Sequence, residues 1–144
     1  MGDLSMTRAE RETFLADLHV GVISVDEPGR APLTVPIWYD YDPAIGVWVI
    51  TGEDSRKGKL LAQAMRYSLC AQVETGLYKY VSVEGPVVEI RPALVEEDSR
   101  PMAHRYFGPE FGDQYVASSE QSGNQVYVMR PERWLTVDYA KTAG

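Results

Sequence analysis

The feature of this sequence that most constrains its fold is a series of short segments rich in β-branched and aromatic residues, set apart by clusters of turn-forming residues. Residues 20–25, 33–41 and 47–51 are the first three such segments. Proline, glycine and aspartate cluster between them, at residues 26–32 and 42–46. Segments of this length and composition, separated in this way, predict a meander of antiparallel strands.

Four more strands are predicted in the rest of the chain. They lie near residues 67–74, 79–90, 125–129 and 134–139. In the second of these, apolar side chains alternate with polar ones over the first half of the segment. Pro86 then indicates a bend or a bulge, because proline cannot donate a hydrogen bond to a strand ladder.

Three helical regions accompany the strands. Thr7 and Glu10 stand at the spacing of a capping box, which predicts a helix near the start of the chain. Ser55 is the predicted N-cap of a helix over residues 55–66, whose apolar residues recur at helical spacing. A third region, residues 95–117, is predicted to be helical in pieces that break at Gly108-Pro109.

Together these elements predict one domain over residues 1–144, because a chain of about 150 residues usually folds as a single unit. Six or seven short antiparallel strands with two or three helices are typical of a small barrel, closed or nearly closed, whose openings are covered by helices. The predicted class is therefore mainly β (α+β), with peripheral helices.

The charge and the composition of the chain argue against several classes of function. A net charge of −7 and an isoelectric point near 4.8 disfavour nucleic acid as a partner. No apolar run approaches the ~20 residues of a membrane span, and the polar start does not resemble a signal peptide, so we expect a cytoplasmic protein with no membrane partner. Cys70 is the only cysteine, and His19 and His104 are the only histidines, so we expect no metal site.

Motifs for self-sufficient catalysis are also missing. The sequence holds neither a G-x-G-x-x-G fingerprint nor a G-x-S-x-G elbow. Residues 52–60 fail the pattern of a P-loop, because Leu60 stands where a serine or threonine is required. We therefore expect any enzymatic activity to depend on a bound cofactor.

A local basic island lies in this acidic chain at residues 53–66, which carry four cations and two carboxylates. A strand ends near Thr51 and a helix begins at Ser55, with Arg56 and Lys57 just inside it. Free N–H groups and the positive end of the helix dipole suit an anion, and arginine can donate two hydrogen bonds to a phosphate. The same pattern is typical of a capped helix with a solvated charged face, and spacing alone leaves both interpretations open.

Several segments of the chain, in their order and spacing, resemble the pyridoxamine 5′-phosphate oxidases and their relatives. The flavin-phosphate segment of that family is similar to Ile50-Thr51, Ser55-Arg56-Lys57, the helix that follows, Arg66 and the strand at 67–72. The strand beside the flavin ring, the next strand and the final strand are similar to residues 33–41, 79–88 and 131–134. The chain is identified as a member of the flavin-binding split-barrel superfamily, which includes oxidases that use FMN and actinobacterial reductases that use the deazaflavin coenzyme F420.

The resemblance implies a homodimer with two equivalent cofactor sites between the protomers. Arg56 and Lys57 would hold the cofactor phosphate, with help from Thr51 and Ser55. Lys79 or Tyr80 would approach from the next strand, across the dimer interface. The remaining cofactor-binding positions that the family implies are Val35, Pro36, Ile37, Trp38 and Tyr39 beside the ring, and Ile50 and Lys59 in the phosphate segment.

Departures from the family pattern narrow the expected activity. True pyridoxamine phosphate oxidases end in an arginine–histidine arm that grips the substrate phosphate, whereas residues 138–144 contain neither residue, so we do not expect oxidation of vitamin B6. Many deazaflavin members have an asparagine after the basic cluster, where this chain has Leu60. The short length and Lys59 favour F420 over FMN, because that coenzyme carries a phosphodiester and a glutamate tail.

The resemblance thus predicts an oxidoreductase that passes hydride to a conjugated small molecule, such as an enone, a quinone or a tetrapyrrole. His104 or Tyr106 would border the substrate pocket and donate a proton. Two alternatives stay open. One is a non-catalytic protein that binds haem or stores flavin, for which His19, His104 or a tyrosine would be the haem ligand, and the other is an FMN-dependent oxidase.

Overall fold

The structure is a computed structural model and describes residues 3–143. Within that range, three α-helices, α1 (Arg8–Ala16), α2 (Arg56–Ala64) and α3 (Arg100–Ser118), accompany eight strands. A π-helical turn at Val95–Ser99 precedes α3, and a 3-10 helix at Tyr139–Ala143 follows the last strand. The strands are β1 (Gly21–Val25), β2 (Leu33–Ile37), β3 (Tyr39–Asp42), β4 (Gly46–Gly52), β5 (Arg66–Val73), β6 (Lys79–Pro92), β7 (Asn124–Met129) and β8 (Arg133–Asp138).

The strands pair antiparallel along one path, in the order β2-β1-β5-β6-β7-β4-β3, with β8 pairing β6 off this path. The path begins and ends on strands that are consecutive in the chain, because only Trp38 separates the last residue of β2 from the first residue of β3. The sheet therefore curves back on itself. The fold is the antiparallel split barrel with peripheral helices that the sequence predicts.

The prediction of a single strand over residues 33–41 is wrong, and this changes the strand count from seven to eight. The first half pairs with β1 as far as Ile37, and the second half pairs with β4 from Tyr39 onwards. Pro36 cannot donate a hydrogen bond to the ladder, and the pairing with β1 ends one residue later. The predicted meander is accordingly two hairpins, which lie at the two ends of the strand path.

β6 is the longest strand and joins the two halves of the barrel. Its first residues, from Lys79 onwards, pair with β5 on one side and β8 on the other, and its last residues pair with β7 as far as Pro92. The register shifts between Val87 and Glu89, directly after Pro86. The predicted bend or bulge at this proline is confirmed, and it allows one strand to serve both halves.

The core fills the inside of the barrel and is closed at one end by α1. Leu15 of α1 is fully buried, and its carbonyl oxygen accepts a hydrogen bond of 2.7 Å from the Tyr39 hydroxyl. The Tyr67 hydroxyl lies 3.1 Å from the carbonyl oxygens of both Val47 and Tyr127. Such partners matter because a buried polar group without one costs about 1–3 kcal/mol. Further core side chains include Ile23, Val25, Val49, Leu61, Leu69, Val81, Val83 and Met129.

The predicted helix starts are confirmed. The Thr7 hydroxyl accepts a hydrogen bond from the Glu10 N–H, and the Glu10 carboxylate accepts one from the Thr7 N–H, which completes the capping box of α1. Ser55 caps α2, which ends earlier than predicted because Met65 is left-handed, with a φ of 53°. Gly108, with a φ of 79°, breaks α3 at the predicted place. No helix within residues 3–143 is long and apolar enough to cross a membrane.

Candidate functional site

The start of α2 is fixed by hydrogen bonds to the end of β4. The Ser55 hydroxyl accepts a hydrogen bond of 3.0 Å from the Gly58 N–H and donates one of 2.7 Å to the Gly52 carbonyl oxygen. The Thr51 hydroxyl lies 3.2 Å from that of Ser55. Both hydroxyls that are predicted at the phosphate site therefore lie side by side, between the end of the strand and the first turn of the helix.

Gly58 allows α2 to lie directly against the strand. A Cβ atom at this position would lie 2.1 Å from the Gly52 carbonyl oxygen and 2.9 Å from the Tyr127 hydroxyl. Neither contact is tolerable for a real side chain. Backbone packing therefore sets the position of the first turn of α2, so that the groups on this turn keep a fixed place relative to β4.

Two backbone N–H groups in this first turn are free to bind a ligand. The N–H groups at the start of a helix have no intrahelical partner. That of Ser55 donates to the Gly52 carbonyl oxygen at 3.1 Å, and that of Gly58 donates to the Ser55 hydroxyl. Within residues 3–143, the N–H groups of Arg56 and Lys57 have no acceptor. They point the same way as the positive end of the helix dipole, which suits an anion.

Arg56, by contrast, already has an anionic partner. Its guanidinium donates from Nε to Glu27 Oε2 at 3.2 Å and from Nη2 to Glu27 Oε1. These hydrogen bonds from Arg56 are the main cause that holds the pKa of Glu27 below its ordinary value. Across the described part of the chain, Lys57 and Lys59 form no ion pair. The excess of cations at the start of α2 is thus partly balanced by Glu27, a residue of the β1–β2 turn that sequence reasoning missed.

A cavity of about 260 Å³ lies beside the start of α2. Trp38 and Ile50 form part of its apolar lining, and Thr51 and Gly52, which contact Ser55, line it as well. One cavity therefore brings Trp38, a position predicted beside the ring, together with Ile50 and Thr51 of the predicted phosphate segment. Ser55, Arg56, Lys57 and Lys59 do not line this cavity. Its other lining residues are Ser99, Met102, Tyr115, Ser119, Glu120, Gln121 and Asn124.

Aromatic residues from both halves of α3 surround Trp38. Its ring stacks on that of Tyr106, with centroids 4.9 Å apart and 5° between the planes, and it meets the Phe107 ring edge-on, also at 4.9 Å. The Tyr115 ring, beyond the break at Gly108, lies 5.2 Å from the Trp38 ring. The break in α3 therefore shapes the cavity, because it allows both helical segments to contact one indole.

The other positions predicted beside the ring lie on different faces of the strand. Ile37 is buried in the core, and Val35 packs partly against it. Pro36 lies on the outer face of the sheet, in an apolar depression that it shares with Val22 and Cys70. The structure therefore does not bring these three predicted positions to the cavity.

Both the side chain and the backbone of Tyr39 have structural partners within the chain. The side chain is fully buried, where burial is the main cause that raises the pKa of its hydroxyl. Its N–H donates to the Tyr106 hydroxyl at 3.1 Å, and its carbonyl oxygen accepts from Arg105 Nε at 3.1 Å. Of the five positions from 35 to 39, Trp38 alone lines the cavity.

The two predicted proton donors have partners of their own. The Tyr106 hydroxyl donates to the His19 carbonyl oxygen at 2.6 Å and accepts from the backbone of Tyr39, and burial is the main cause that raises its pKa. His104 Nε2 lies 2.7 Å from the Asp113 carboxylate, across the break in α3. Neither lines the cavity, and Tyr106 reaches it only through its contact with Trp38.

Lys79 and Tyr80 lie far along the barrel from Thr51 in the same chain. Thr51 pairs with Gln125 of β7, and Gln125 pairs with Pro92, the last residue of β6. Lys79 is the first residue of that 14-residue strand and lines a separate depression beside α1. Within one chain, the structure therefore keeps this pair of residues apart from the phosphate segment.

Sequence reasoning missed the part of the cavity that comes from α3 and the loop after it. Met102, Tyr115 and Gln121 belong to no recognisable motif, so no signal in the sequence marks them. Asn124 is different, because it pairs directly with Gly52 across the β4–β7 ladder. Knowing which strands pair would have placed it next to the phosphate segment.

Solved structures of other proteins share this fold. The conserved hypothetical protein Rv2991 of Mycobacterium tuberculosis has a TM-score of 0.79 at 21% identity, over 100% of this chain and 92% of that chain. An F420 reductase has a TM-score of 0.67 at 17% identity, over 86% of this chain and 94% of its own. The haem storage protein HutZ of Vibrio cholerae has a TM-score of 0.64 at 13% identity, over 91% and 94%. Identities this low show a likeness of fold.

Sequence comparison identifies the family. No curated protein matches the chain significantly. A family model described as pyridoxamine 5′-phosphate oxidase, however, matches residues 7–138, which include every strand and the whole lining of the cavity. The chain therefore belongs to the pyridoxamine 5′-phosphate oxidase family.

Proposed function

We propose that this chain is an oxidoreductase that binds the deazaflavin coenzyme F420 and transfers hydride to a conjugated small molecule. The observation that carries the proposal is the cavity that Trp38 shares with Thr51 and Gly52, the last two residues of β4, directly before the turn that leads into α2. A ligand with a planar ring and an anionic group needs an aromatic wall and, near it, an anion site. Family membership, and the fold shared with an F420 reductase, support the proposal.

The cavity fits the ring end of such a cofactor. Its volume of about 260 Å³ lies just below the ~300–1,000 Å³ that is usual for small-molecule sites, so one chain would enclose part of the cofactor. Trp38, Ile50 and Met102 provide apolar contacts. Gln121 Oε1 is buried and has no hydrogen-bond partner among the described residues. Such an orphaned acceptor suits an N–H donor on the edge of a ligand ring.

The first turn of α2 would hold the phosphate. The N–H groups of Arg56 and Lys57 can donate to its oxygens, and Lys57 and Lys59 supply positive charge. The Thr51 hydroxyl can donate as well if it turns away from Ser55. Each hydrogen bond to a charged group contributes about 1.5–3 kcal/mol. The close packing at Gly58 keeps these donors in place before the ligand arrives, which reduces the entropic cost of binding.

The wall of the cavity would orient the ring and exclude water from it. When bound, the reduced deazaflavin supplies the hydride, and the chain supplies position and a dry environment. Trp38 and Tyr115 are the aromatic residues on this wall. Tyr39 and Tyr106 do not contact the ligand in this proposal, because they hold Trp38 and the adjoining backbone in place.

Tyr115 is the hydroxyl best placed to deliver a proton. It lines the cavity, and its hydroxyl makes no hydrogen bond within residues 3–143. His104 and Tyr106, the donors expected from the sequence, have committed partners outside the cavity. We therefore propose Tyr115 as the proton donor to the acceptor after hydride transfer.

A second copy of the chain would complete the site. Lys79 and Tyr80 lie away from the cavity of their own chain, so their predicted role requires that they come from a partner. The outer sheet face carries an apolar depression of about 520 Å³ around Val20, Val22 and Pro36, which is a suitable surface for association. We propose a cytoplasmic homodimer that acts on a small molecule, without nucleic acid or membrane as a partner.

FMN is the alternative cofactor. Haem is disfavoured, because both histidines already have partners within the chain. His19 Nε2 lies 3.0 Å from the Phe14 carbonyl oxygen, and its ring stacks on that of Phe14. His104 is held by Asp113. Either histidine would have to give up these contacts to become an axial ligand.

Parallel titrations of the purified protein with F420, FMN and haem test the proposal. We expect the tightest binding for F420, followed by fluorescence, and a loss of about 100-fold or more in the R56A/K57A variant. The R130A/R133A variant is the matched control, because it removes the same charge from two exposed positions, one before β8 and one at its first residue. Equal affinity of wild type and R56A/K57A, or a Soret band at stoichiometric haem with no binding of F420, would contradict the proposal.

A further inference from the structure

We propose that Glu27 makes the anion site selective for a phosphodiester, which carries one negative charge, over a phosphomonoester, which carries nearly two. The inference rests on the proposed function, since it concerns the group that would bind at the start of α2. Glu27 would be the residue that distinguishes these two classes of ligand.

The ion pair between Glu27 and Arg56 engages one edge of the guanidinium before any ligand binds. Both carboxylate oxygens of Glu27 accept from Arg56, one from Nε at 3.2 Å and the other from Nη2. This is the two-point geometry by which arginine also binds phosphate. A phosphate near Arg56 therefore meets a guanidinium whose Nε and Nη2 already donate to a carboxylate of the same chain, so that Nη1 is left to donate.

Glu27 is fixed more firmly than a surface carboxylate. Its side chain is only 15% exposed, whereas that of Arg56 is 51% exposed. The carboxylate stays ionised at neutral pH, since the hydrogen bonds from Arg56 lower its pKa. Glu27 thus places a negative charge at the Arg56 guanidinium, whose backbone belongs to the first turn of α2.

The surrounding charges leave a small positive excess. Arg56, Lys57 and Lys59 are the cations on the first turn of α2, and Glu53 and Asp54 lie on the turn before it. Arg30, on the same turn as Glu27, adds a fourth cation that acts on Glu27. With Glu27 included, three carboxylates face four cations, so a net charge of about one, together with the positive end of the helix dipole, remains to attract a ligand.

A site with this balance suits one negative charge better than two. At pH 7 a phosphomonoester carries about −1.5 to −2, because its second pKa is near 6, whereas a phosphodiester carries one charge. The additional charge of the monoester would face the Glu27 carboxylate, and like charges at short range repel. F420 joins its parts through a phosphodiester and FMN ends in a monoester, so the pairing favours F420.

Two ligands with the same flavin ring test the inference. FMN ends in a monoester, riboflavin 4′,5′-cyclic phosphate is a diester, and riboflavin provides the uncharged reference. We expect wild type to bind the cyclic phosphate about tenfold more tightly than FMN at pH 8, and the difference to shrink at pH 5, where the monoester holds one proton more.

The E27Q variant isolates the contribution of Glu27. We expect its affinity for FMN to rise about tenfold at pH 8, while its affinity for the cyclic phosphate and for F420 changes less than about threefold. E12Q is the matched control, since Glu12 is also a partly exposed partner of an arginine, Arg8, but lies on α1. We expect E12Q to behave as wild type.

The outcomes separate this inference from the proposed function. If both phosphates bind more tightly than riboflavin and depend on Arg56 and Lys57, but E27Q changes their affinities equally, the role of Glu27 is wrong and the anion site stands. A wild-type preference for FMN at pH 8 likewise overturns the selectivity. If no phosphate binds better than riboflavin, the anion site fails and this inference fails with it.

Discussion

Trp38 and Tyr106 stack face to face, with 4.9 Å between their ring centroids, while the Tyr106 hydroxyl joins the His19 carbonyl oxygen to the backbone of Tyr39. A single tyrosine of α3 therefore holds both the indole that lines the cavity and the start of β3. The position of the proposed ring wall depends on a residue that does not itself line the cavity.

Replacement of Trp38 should weaken ligand binding. We expect W38A to weaken F420 binding about tenfold, because an aromatic contact is worth about 0.5–1.5 kcal/mol beyond the area it buries. W38F should recover most of the loss. Fluorescence titration measures both, with W48A as the control, because Trp48 is partly buried in β4 but does not line the cavity. Equal affinities of W38A and wild type would show that the ring lies elsewhere.

Tyrosine-to-phenylalanine changes at positions 106 and 115 should distinguish the structural role of Tyr106 from the catalytic role of Tyr115. Y106F removes the partner of the Tyr39 N–H, so we expect unfolding to become about 1–2 kcal/mol easier in urea. Y115F should leave that value unchanged and slow turnover about 100-fold, as expected for a lost proton donor. A Y115F enzyme with the wild-type rate and pH profile would refute the assignment of the proton donor.

The close contact at Gly58 predicts an unusual response to alanine. Gly→Ala within a helix normally stabilises it by about 0.5–1 kcal/mol, but here the added Cβ meets the Gly52 carbonyl oxygen at 2.1 Å. We expect G58A to lower the free energy of unfolding by about 1–3 kcal/mol and to weaken anion binding. G52A is the control for stability alone, since its Cβ would make only ordinary contacts, at 3.8 Å or more, but Gly52 lines the cavity. Stabilisation by G58A would show that α2 does not pack as described.

Asp98 should make stability depend on pH. Its carboxylate accepts hydrogen bonds from Arg91 Nη1 and Nη2 at 2.7 and 2.8 Å and from the Leu94 N–H at 2.8 Å. The hydrogen bonds from Arg91 are the main cause that lowers its pKa below the ordinary 3.8. A lowered pKa in the folded state means that the stabilisation is complete above that ordinary value and is lost as the pH falls through the folded value.

The D98N variant tests this dependence. We expect it to be about 1–3 kcal/mol less stable than wild type at pH 7, with a deficit that shrinks below about pH 4, because a protonated Asp98 then resembles asparagine. Denaturation in urea at several pH values measures the difference. E96Q is the control, because Glu96 pairs with Arg100 on the exposed surface and such pairs contribute less than about 1 kcal/mol. A deficit independent of pH would refute the assignment.

Local patterns in the sequence were sufficient for most of the fold. The capping box at Thr7 and Glu10, the cap at Ser55 and the break at Gly108 each depend on neighbouring residues, so sequence spacing predicts them. The strand boundary at Trp38 does not, because it reflects pairing with two different partners, β1 and β4. Tertiary pairing overrides a continuous run of strand-forming residues there.

The candidate site shows the same division between local and distant information. The segment from Thr51 to Lys57 is contiguous, and its geometry was predicted from the sequence. Glu27 reaches Arg56 across 29 positions of the chain, and Tyr115 meets Trp38 only because α3 turns at Gly108. No spacing rule connects residues so far apart, so neither contact was predicted.

The position of Trp38, as the one residue between β2 and β3, has a consequence for how relatives of this protein diversify. A change there would disturb the closure of the barrel as well as the pocket, so that wall is costly to alter during evolution. Ser119, Glu120 and Gln121 also line the pocket but belong to no helix or strand, so they do not have this double role. We therefore expect substitutions in that loop to change ligand preference at little cost in stability.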